Sequence, residues 1–432
     1  MSDLSLATPV ETLLTLAAES NGDFFTGRQI ITFRNRDTSQ ADRIGSLSVS
    51  DATRVASSSD FAEGLVDFNA LGDADYVVFD ELNIAVSSGR QEVASQVSSL
   101  SVNAAESSIL AVEPEIFVFS LQGAAEYLRG FSAAVERIRQ DLAPGGALQP
   151  GAEFEDNAAL AAATWGLIAT RAASSAFSGR GIKVAILDTG LDMNHPDFRG
   201  RPIVSQSFVT GQPPQDGNRH GTHCTGTSCG PKSPPGQPRY GIAHEARIFI
   251  GKVLSNSGSG TSAGVLAGMN WAVANRCDVI SMSLGGAGGP FAYYTQAGQA
   301  ALNAGCLIIA AAGNASRRPA TIAPTGAPAN SPTIVSVAAL TQALAVAPFS
   351  CGGKVDIAGP GVDVFSSVPM PVRYSTLTGT SMATPHVAGC AALLAQSNPA
   401  FRGTALRAAL LRSARRLPLP ASDVGAGLVQ AP

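Results

Sequence analysis

From about residue 158 the hydrophobic positions come in short, nearly unbroken runs. Lys183-Val184-Ala185-Ile186-Leu187 ends at Asp188, and Arg247–Val253, Asp278–Ser283, Leu307–Ala312 and Thr333–Val337 follow the same form. Between them, Ser262–Asn275 and about 293–304 show helical spacing. Val387-Ala388-Gly389-Cys390-Ala391-Ala392-Leu393-Leu394 is apolar all round and predicts a buried helix. Apolar strands alternating with helices predict an α/β fold, a mainly parallel sheet with helices on both faces. Functional groups in such sheets gather at the carboxyl ends of the strands.

The first part of the chain reads differently. Residues 1–22 suggest a helix and a leader, Gln29–Phe33 a strand, and 36–72 give no clear element. Tyr76–Phe79 and Asn83–Val86 predict two short strands, Arg90–Leu100 a helix, and Ile109–Val112 and Ile116–Phe119 two extended stretches. That order approaches the β-α-β-β-α-β layout of a smaller α+β, ferredoxin-like domain. Residues 123–141 have the spacing of an amphipathic helix, and the Gly/Pro-rich stretch after it reads as a linker. The domain reading is therefore 1–141, with a core at about 74–121, a linker at 142–157, and a larger domain at 158–432.

Composition sharpens this picture. The chain has 432 residues, is 45% hydrophobic and only 14% charged, as suits a large buried core and not disorder. Residues 1–150 carry 9 basic and 21 acidic side chains, a net −12, whereas 151–432 carry 20 and 12, a net +8. Opposite charge on neighbouring domains favours their docking. No basic cluster with interleaved aromatics points to nucleic acid. No apolar run is long enough to span a membrane, and the N-terminus lacks the pattern of a secretory signal. The expectation is a cytoplasmic protein or one exported by another route. Six scattered cysteines do not form a disulfide framework, though Cys224 and Cys229 are near enough in sequence to pair.

Four segments carry candidate chemistry. Asp188-Thr189-Gly190 closes a strand; an aspartic-protease reading would need a second such carboxylate, which the chain lacks, or a homodimer. Asp192 and Asp197 read as loop residues. His220-Gly221-Thr222-His223-Cys224 places a histidine among small residues at a helix start, where it could face a cleft. Zinc at His220, His223, Cys224 and Cys229 lacks any standard ligand spacing. Ala312-Gly313-Asn314 follows a strand and presents a carboxamide able to donate to an oxyanion, or simply an Asn in a turn. Gly379-Thr380-Ser381-Met382-Ala383-Thr384-Pro385 delivers a serine to the start of the buried helix, with Pro385 expected in its first turn. His386 is too close to Ser381 in that helix to reach back to it. Gly-rich strand ends at Gly258-Ser259-Gly260 and Ser283-Leu284-Gly285 could accept an extended peptide as an added strand.

Taken together, in the order Asp, His, Asn, Ser, these segments resemble the subtilisin-like serine peptidases, over about residues 160–432. The stretch at 74–121 is more weakly similar to the inhibitory propeptide of that family. The resemblance implies a serine endopeptidase made as a zymogen, acting on polypeptides, with its own N-terminal domain as intramolecular inhibitor and chaperone. By position it implies Ser381 as nucleophile, His220 as base, Asp188 as its orienting carboxylate and Asn314 at the oxyanion. Gly258, Ser259, Gly260, Ser283, Leu284 and Gly285 fall at the substrate-binding edges, and Ala312 and Gly313 at the side-chain pocket. Cleavage is expected in or near 142–160. Two alternatives stay open, a silent or permanently inhibited binding module on this fold and a specialised peptide-processing or ligating relative. The family's tight calcium site uses an Asn-bearing loop after the histidine helix. Gly230–Pro238 here has no acid or Asn, and although Asp197 matches one ligand its partners are missing. No metal or other cofactor is therefore expected.

Overall fold

Period-two burial appears where a strand has one covered face, and the first strand of the chain shows it at its start. The computed structural model describes residues 4–19, 25–34, 39–47, 52–102, 108–120 and 163–432. The first unit contains α1 (Val10–Glu19), β1 (Phe25–Phe33), α2 (Gln40–Leu47), β2 (Val55–Ser57), β3 (Tyr76–Phe79), β4 (Ile84–Ser87), α3 (Gln91–Val102) and β5 (Ile109–Ser120). Its strands lie in the order β5-β1-β4-β3-β2. The sheet takes in residues before 74, because β1 is an interior strand between β5 and β4. Ile109–Val112 and Ile116–Phe119 are corrected to one strand. Pro114 lies at its register shift against β1, where a missing N–H is tolerated. The helix expected at 123–141 and the linker at 142–157 lie outside the described residues.

The second unit begins with α4 (Trp165–Ala169), β6 (Lys183–Asp188), β7 (Ile203–Ser207), α5 (His220–Cys229), β8 (Arg247–Lys252), β9 (Ser259–Thr261) and α6 (Ser262–Ala274). It continues with β10 (Val279–Met282), β11 (Leu284–Gly285), α7 (Ala292–Asn303), β12 (Leu307–Ala311), β13 (Val335–Leu340), β14 (Ile357–Pro360), β15 (Val364–Ser367), β16 (Tyr374–Leu377), α8 (Thr380–Ser397) and α9 (Gly403–Ser413). Seven parallel strands run β14-β13-β12-β10-β6-β8-β7. Alternation within β6 sends Ala185 and Leu187 into a core with α6 and α7, and Val184 and Ile186 into a core with α5, α8 and α9. Both faces are covered, as the unbroken apolar runs predict.

The two units share one core. Ile30, Val77, Phe79, Ile84 and Val86 of the first sheet belong to the cluster of Leu266, Met269, Tyr293 and Ala297 on α6 and α7. The sheet's other face, with Ile31, Phe33, Tyr76 and Val78, packs with Leu47 of α2 and with Val93 and Val97 of α3. Two acids of β5 meet the N-termini of those shared helices. Glu115 accepts from Ala263 N at 2.9 Å and Glu113 from Tyr293 N at 3.3 Å, where the helix dipoles favour negative charge.

Candidate active site

Asp188 is the last residue of β6 and His220 the first of α5, so the sheet and a helix start bring them together from 32 positions apart. Asp188 Oδ1 lies 2.7 Å from His220 Nδ1 and accepts from Thr189 N at 2.7 Å. Both side chains are buried. His220 Nε2 and Asp188 Oδ2 make no hydrogen bond among the described residues. Burial alone pulls the imidazolium down, but the carboxylate on Nδ1 outweighs it and holds the His220 pKa well above the usual value. The Cys224 thiol, 3.9 Å from Nδ1, is pushed up by burial and stays neutral.

Asp216, which the sequence reading missed, ties this pair in place. It accepts from Thr189 Oγ1 at 2.9 Å, from Thr222 Oγ1 at 2.6 Å, and from the N–H groups of Asn218, Arg219 and Thr222 at 2.9–3.0 Å. It thereby caps α5 and holds Arg219 at φ 99°, a conformation that needs such support. The only signal in the sequence is an acid four residues before His220. Lys252, fully buried, donates from Nζ to Thr189 O at 2.5 Å and Asn256 Oδ1 at 2.8 Å. Burial lowers its pKa to about 8.

Ser381 is the second residue of α8. The expectation for Pro385 is corrected: it is the sixth residue of the helix, past the first turn. Lacking an N–H, it cannot donate to the carbonyl four residues back, that of Ser381. Ser283 Oγ fills that role at 2.8 Å and the Cys224 thiol approaches at 3.6 Å. The Ser381 hydroxyl donates to Ser283 O at 3.1 Å. Asn314 follows β12, and its Oδ1 accepts from Thr380 N at 2.9 Å and Thr380 Oγ1 at 2.8 Å. An N–H donor on one side fixes that atom as oxygen, so the donating end of the carboxamide faces away from Thr380. Ala312 and Gly313 lead into it at the carboxyl end of the strand. Gly313, at φ 116°, donates to Thr380 Oγ1 at 3.3 Å.

The Gly-rich edges hold a strand of this same chain. Phe117, Val118 and Phe119 of β5 pair antiparallel with Thr261, Gly260 and Ser259, while Phe119 and Ser120 pair with Gly285 and Leu284. Ser120 N donates to Gly258 O at 2.8 Å. A side chain on Gly258, at φ +85°, would approach Ser120 Oγ to 2.6 Å, and one on Gly286 would meet Phe117 O at 2.6 Å. Glycine is required at 286 because another backbone comes close, and at 258 because of its positive φ.

The remaining candidates separate from this centre. Asp192 holds a turn through Asn194 N and Met370 N. His223 bonds Val364 O at 2.9 Å and His386 bonds Met382 O at 2.8 Å, and burial lowers them to about 3 and about 4. Cys224 and Cys229 are free thiols on one helix. Asp188, His220 and Cys224 offer ligand atoms within 4.8 Å of one another. A metal there would displace the short Asp188–His220 hydrogen bond and need the raised thiol ionised, so the set fits a proton better than an ion. No described helix is long and apolar enough to cross a membrane.

The carboxyl end of the parallel sheet thus holds Asp188 and His220 in contact, with the Cys224 thiol 3.9 Å from the His220 ring and 3.6 Å from the Ser381 carbonyl at the start of α8. The subtilase family profile matches residues 179–427, and the chain belongs to that family of serine-type endopeptidases. It is 38% identical over 237 residues to subtilisin of Bacillus pumilus, covering 54% of this chain and 84% of that one. Subtilisin E of Bacillus subtilis (strain 168) is 38% identical over 237 residues, with 54% and 60% covered. Subtilisin Savinase of Lederbergia lenta is 39% identical over 272 residues, with 62% and 96% covered.

Proposed function

We propose that Ser381 is the nucleophile, His220 its general base, and Asp188 the group that orients the imidazole and stabilises it when charged. The observation that carries this reading is the 2.7 Å Asp188–His220 contact, which leaves Nε2 buried and unpaired. The Ser381 hydroxyl leaves Ser283 O, gives its proton to Nε2, and its oxygen adds to the scissile carbonyl. The oxyanion takes hydrogen bonds from Ser381 N–H and the Asn314 carboxamide. His220 then protonates the leaving amine as the C–N bond breaks. Water, giving its proton to Nε2, releases the acyl group and restores the serine. Ser381→Ala should leave a full-length chain whose casein hydrolysis is about 10⁶-fold lower. Continued cleavage by that variant would sink the assignment.

The first unit is, in this reading, an inhibitor and folding partner of the second. Strand 117–120 occupies both edges a substrate would use, and Ser120 pairs with Leu284, the neighbour of Ser283, whose carbonyl accepts the Ser381 hydroxyl. This favours a first cut within a few residues of Ser120, upstream of the 142–160 region expected from sequence. Amino-terminal sequencing of active material decides between them: a start in the low 120s supports the cleft strand as product, and a start at 142–160 as the first new terminus opposes it. The raised His220 pKa gives the sign of the pH dependence. The base form exists above that pKa, so activity rises with pH through it.

A further inference from the structure

The fold family implies a calcium ion near the end of the histidine helix, and Asp197 stands at the position of one ligand. The groups around Asp197 do not fit that ion. Its carboxylate is buried, and both oxygens already accept hydrogen bonds. Tyr240 Oη donates to Oδ2, and Tyr374 Oη lies 3.2 Å from Oδ1 and 3.1 Å from Oδ2. Burial first and the neighbouring carboxylate second keep both phenols protonated: Tyr374 is pushed up to about 12 and Tyr240 well above its ordinary value. The rings have little freedom to turn away. Tyr374 stacks on Phe365 at 5.5 Å, and Tyr240 meets the two edge-on at 6.0 and 6.1 Å.

Calcium takes about six to eight oxygen ligands at roughly 2.3–2.6 Å. Two backbone carbonyls at the end of the histidine helix and before β8 are engaged by a guanidinium of the chain itself. The last carbonyl of α5, that of Cys229, accepts from Arg201 Nη1, and Ala246 O accepts from Nη2 at 3.0 Å. A guanidinium at a helix C-terminus complements the dipole there. The following segment, 230–238, contains Lys232 and no acid or Asn.

We infer that Asp197, Tyr240 and Tyr374, with Arg201 on the end of α5, close this corner without a metal ion, so that the chain's stability does not depend on calcium at Asp197. The cluster joins three segments: the loop after β6, the residue following the α5 loop, and the hairpin β15–β16.

The test uses the full-length Ser381→Ala chain to avoid self-digestion, with thermal unfolding followed in chelator and in millimolar calcium. The inference expects no difference in Tm between the two that depends on Asp197. It expects Tyr374→Phe to lower Tm by roughly 2–4 °C equally in both, since the lost bond is internal. A calcium-dependent rise in Tm that Asp197→Asn abolishes overturns it, as does a Tyr240→Phe/Tyr374→Phe double variant as stable as its parent. A calcium response that survives Asp197→Asn arises at another site and supports it. Should Asp197→Asn fail to fold, Tyr374→Phe stands in for it, and a Tm loss confined to chelator then overturns the inference.

Discussion

Pro385 removes the N–H that would otherwise donate to the Ser381 carbonyl, and Ser283 and Cys224 approach that carbonyl from two other elements. The backbone at Ser381 is therefore held from outside its helix as well. A hydrogen bond of this kind contributes about 1 kcal/mol. Ser283→Ala should accordingly lower kcat about fivefold with a smaller change in KM, and adding Cys224→Ala should lower it further; steady-state kinetics on a chromogenic peptide checks this. Asp188→Asn tests the other half of the centre. It should reduce kcat/KM about 10⁴-fold. It should also move the acid limb of the pH–rate profile to lower pH, because the carboxylate that raises His220 is gone. An unmoved limb would mean that another group titrates. The segments bearing Asp188, His220, Asn314 and Ser381 were legible in the sequence because each breaks a regular pattern at a strand or helix end. Asp216 was not, since a buried acid whose work is to accept five hydrogen bonds looks in sequence like any loop residue. Pro385 was misplaced because its partner lies outside the helix.

Among the elements, β5 does the most. Its first half is an ordinary sheet strand beside β1, and its last four residues are a third strand between β9 and β11. Helix α1 locks that end: Val10, Leu13, Leu14 and Ala17 pack around Phe117, and Glu11 reaches Gln212 across the unit boundary at 3.4 Å. Removing residues 1–20 should therefore loosen the strand and shorten the lag before full activity several-fold, read as a progress curve after refolding. An unchanged lag would make α1 a bystander. Strands β6, β8, β10 and β12 were readable because both their faces are buried. Strand β7 lies at the sheet edge and is half exposed, and β14 is Ile-Ala-Gly-Pro, too short and Gly/Pro-marked to show a period. The hairpin β15–β16 alternates weakly for the same reason.

Over the whole molecule, one continuous core crosses between the units, and the acidic first unit meets the basic second through Glu113 and Glu115 at two helix ends. The charge imbalance along the sequence hinted at docking, but the shared core did not show, because one-sided strands look alike whichever partner covers them. Buried histidines on α5 and α8, against the second sheet's other face, set an acid limit. His223 and His386 have folded-state pKa values of about 3 and about 4, below the unfolded value near 6.5, so the unfolded chain takes up protons first as pH falls. The contribution of these two histidines is full above about pH 6.5 and is lost as pH falls, down to about 4 for His386 and about 3 for His223, at about 1.4 kcal/mol per pH unit for each. Denaturant melts of the Ser381→Ala chain at neutral and mildly acid pH measure that slope, and a midpoint independent of pH would remove these histidines from the account. The central claim concerns the reacting centre itself, and a serine-directed fluorophosphonate addresses it most directly. Processed enzyme should carry one adduct, mapped by mass spectrometry to Ser381, and His220→Ala should nearly abolish labelling. An adduct on another residue, or undiminished labelling without His220, would contradict the account.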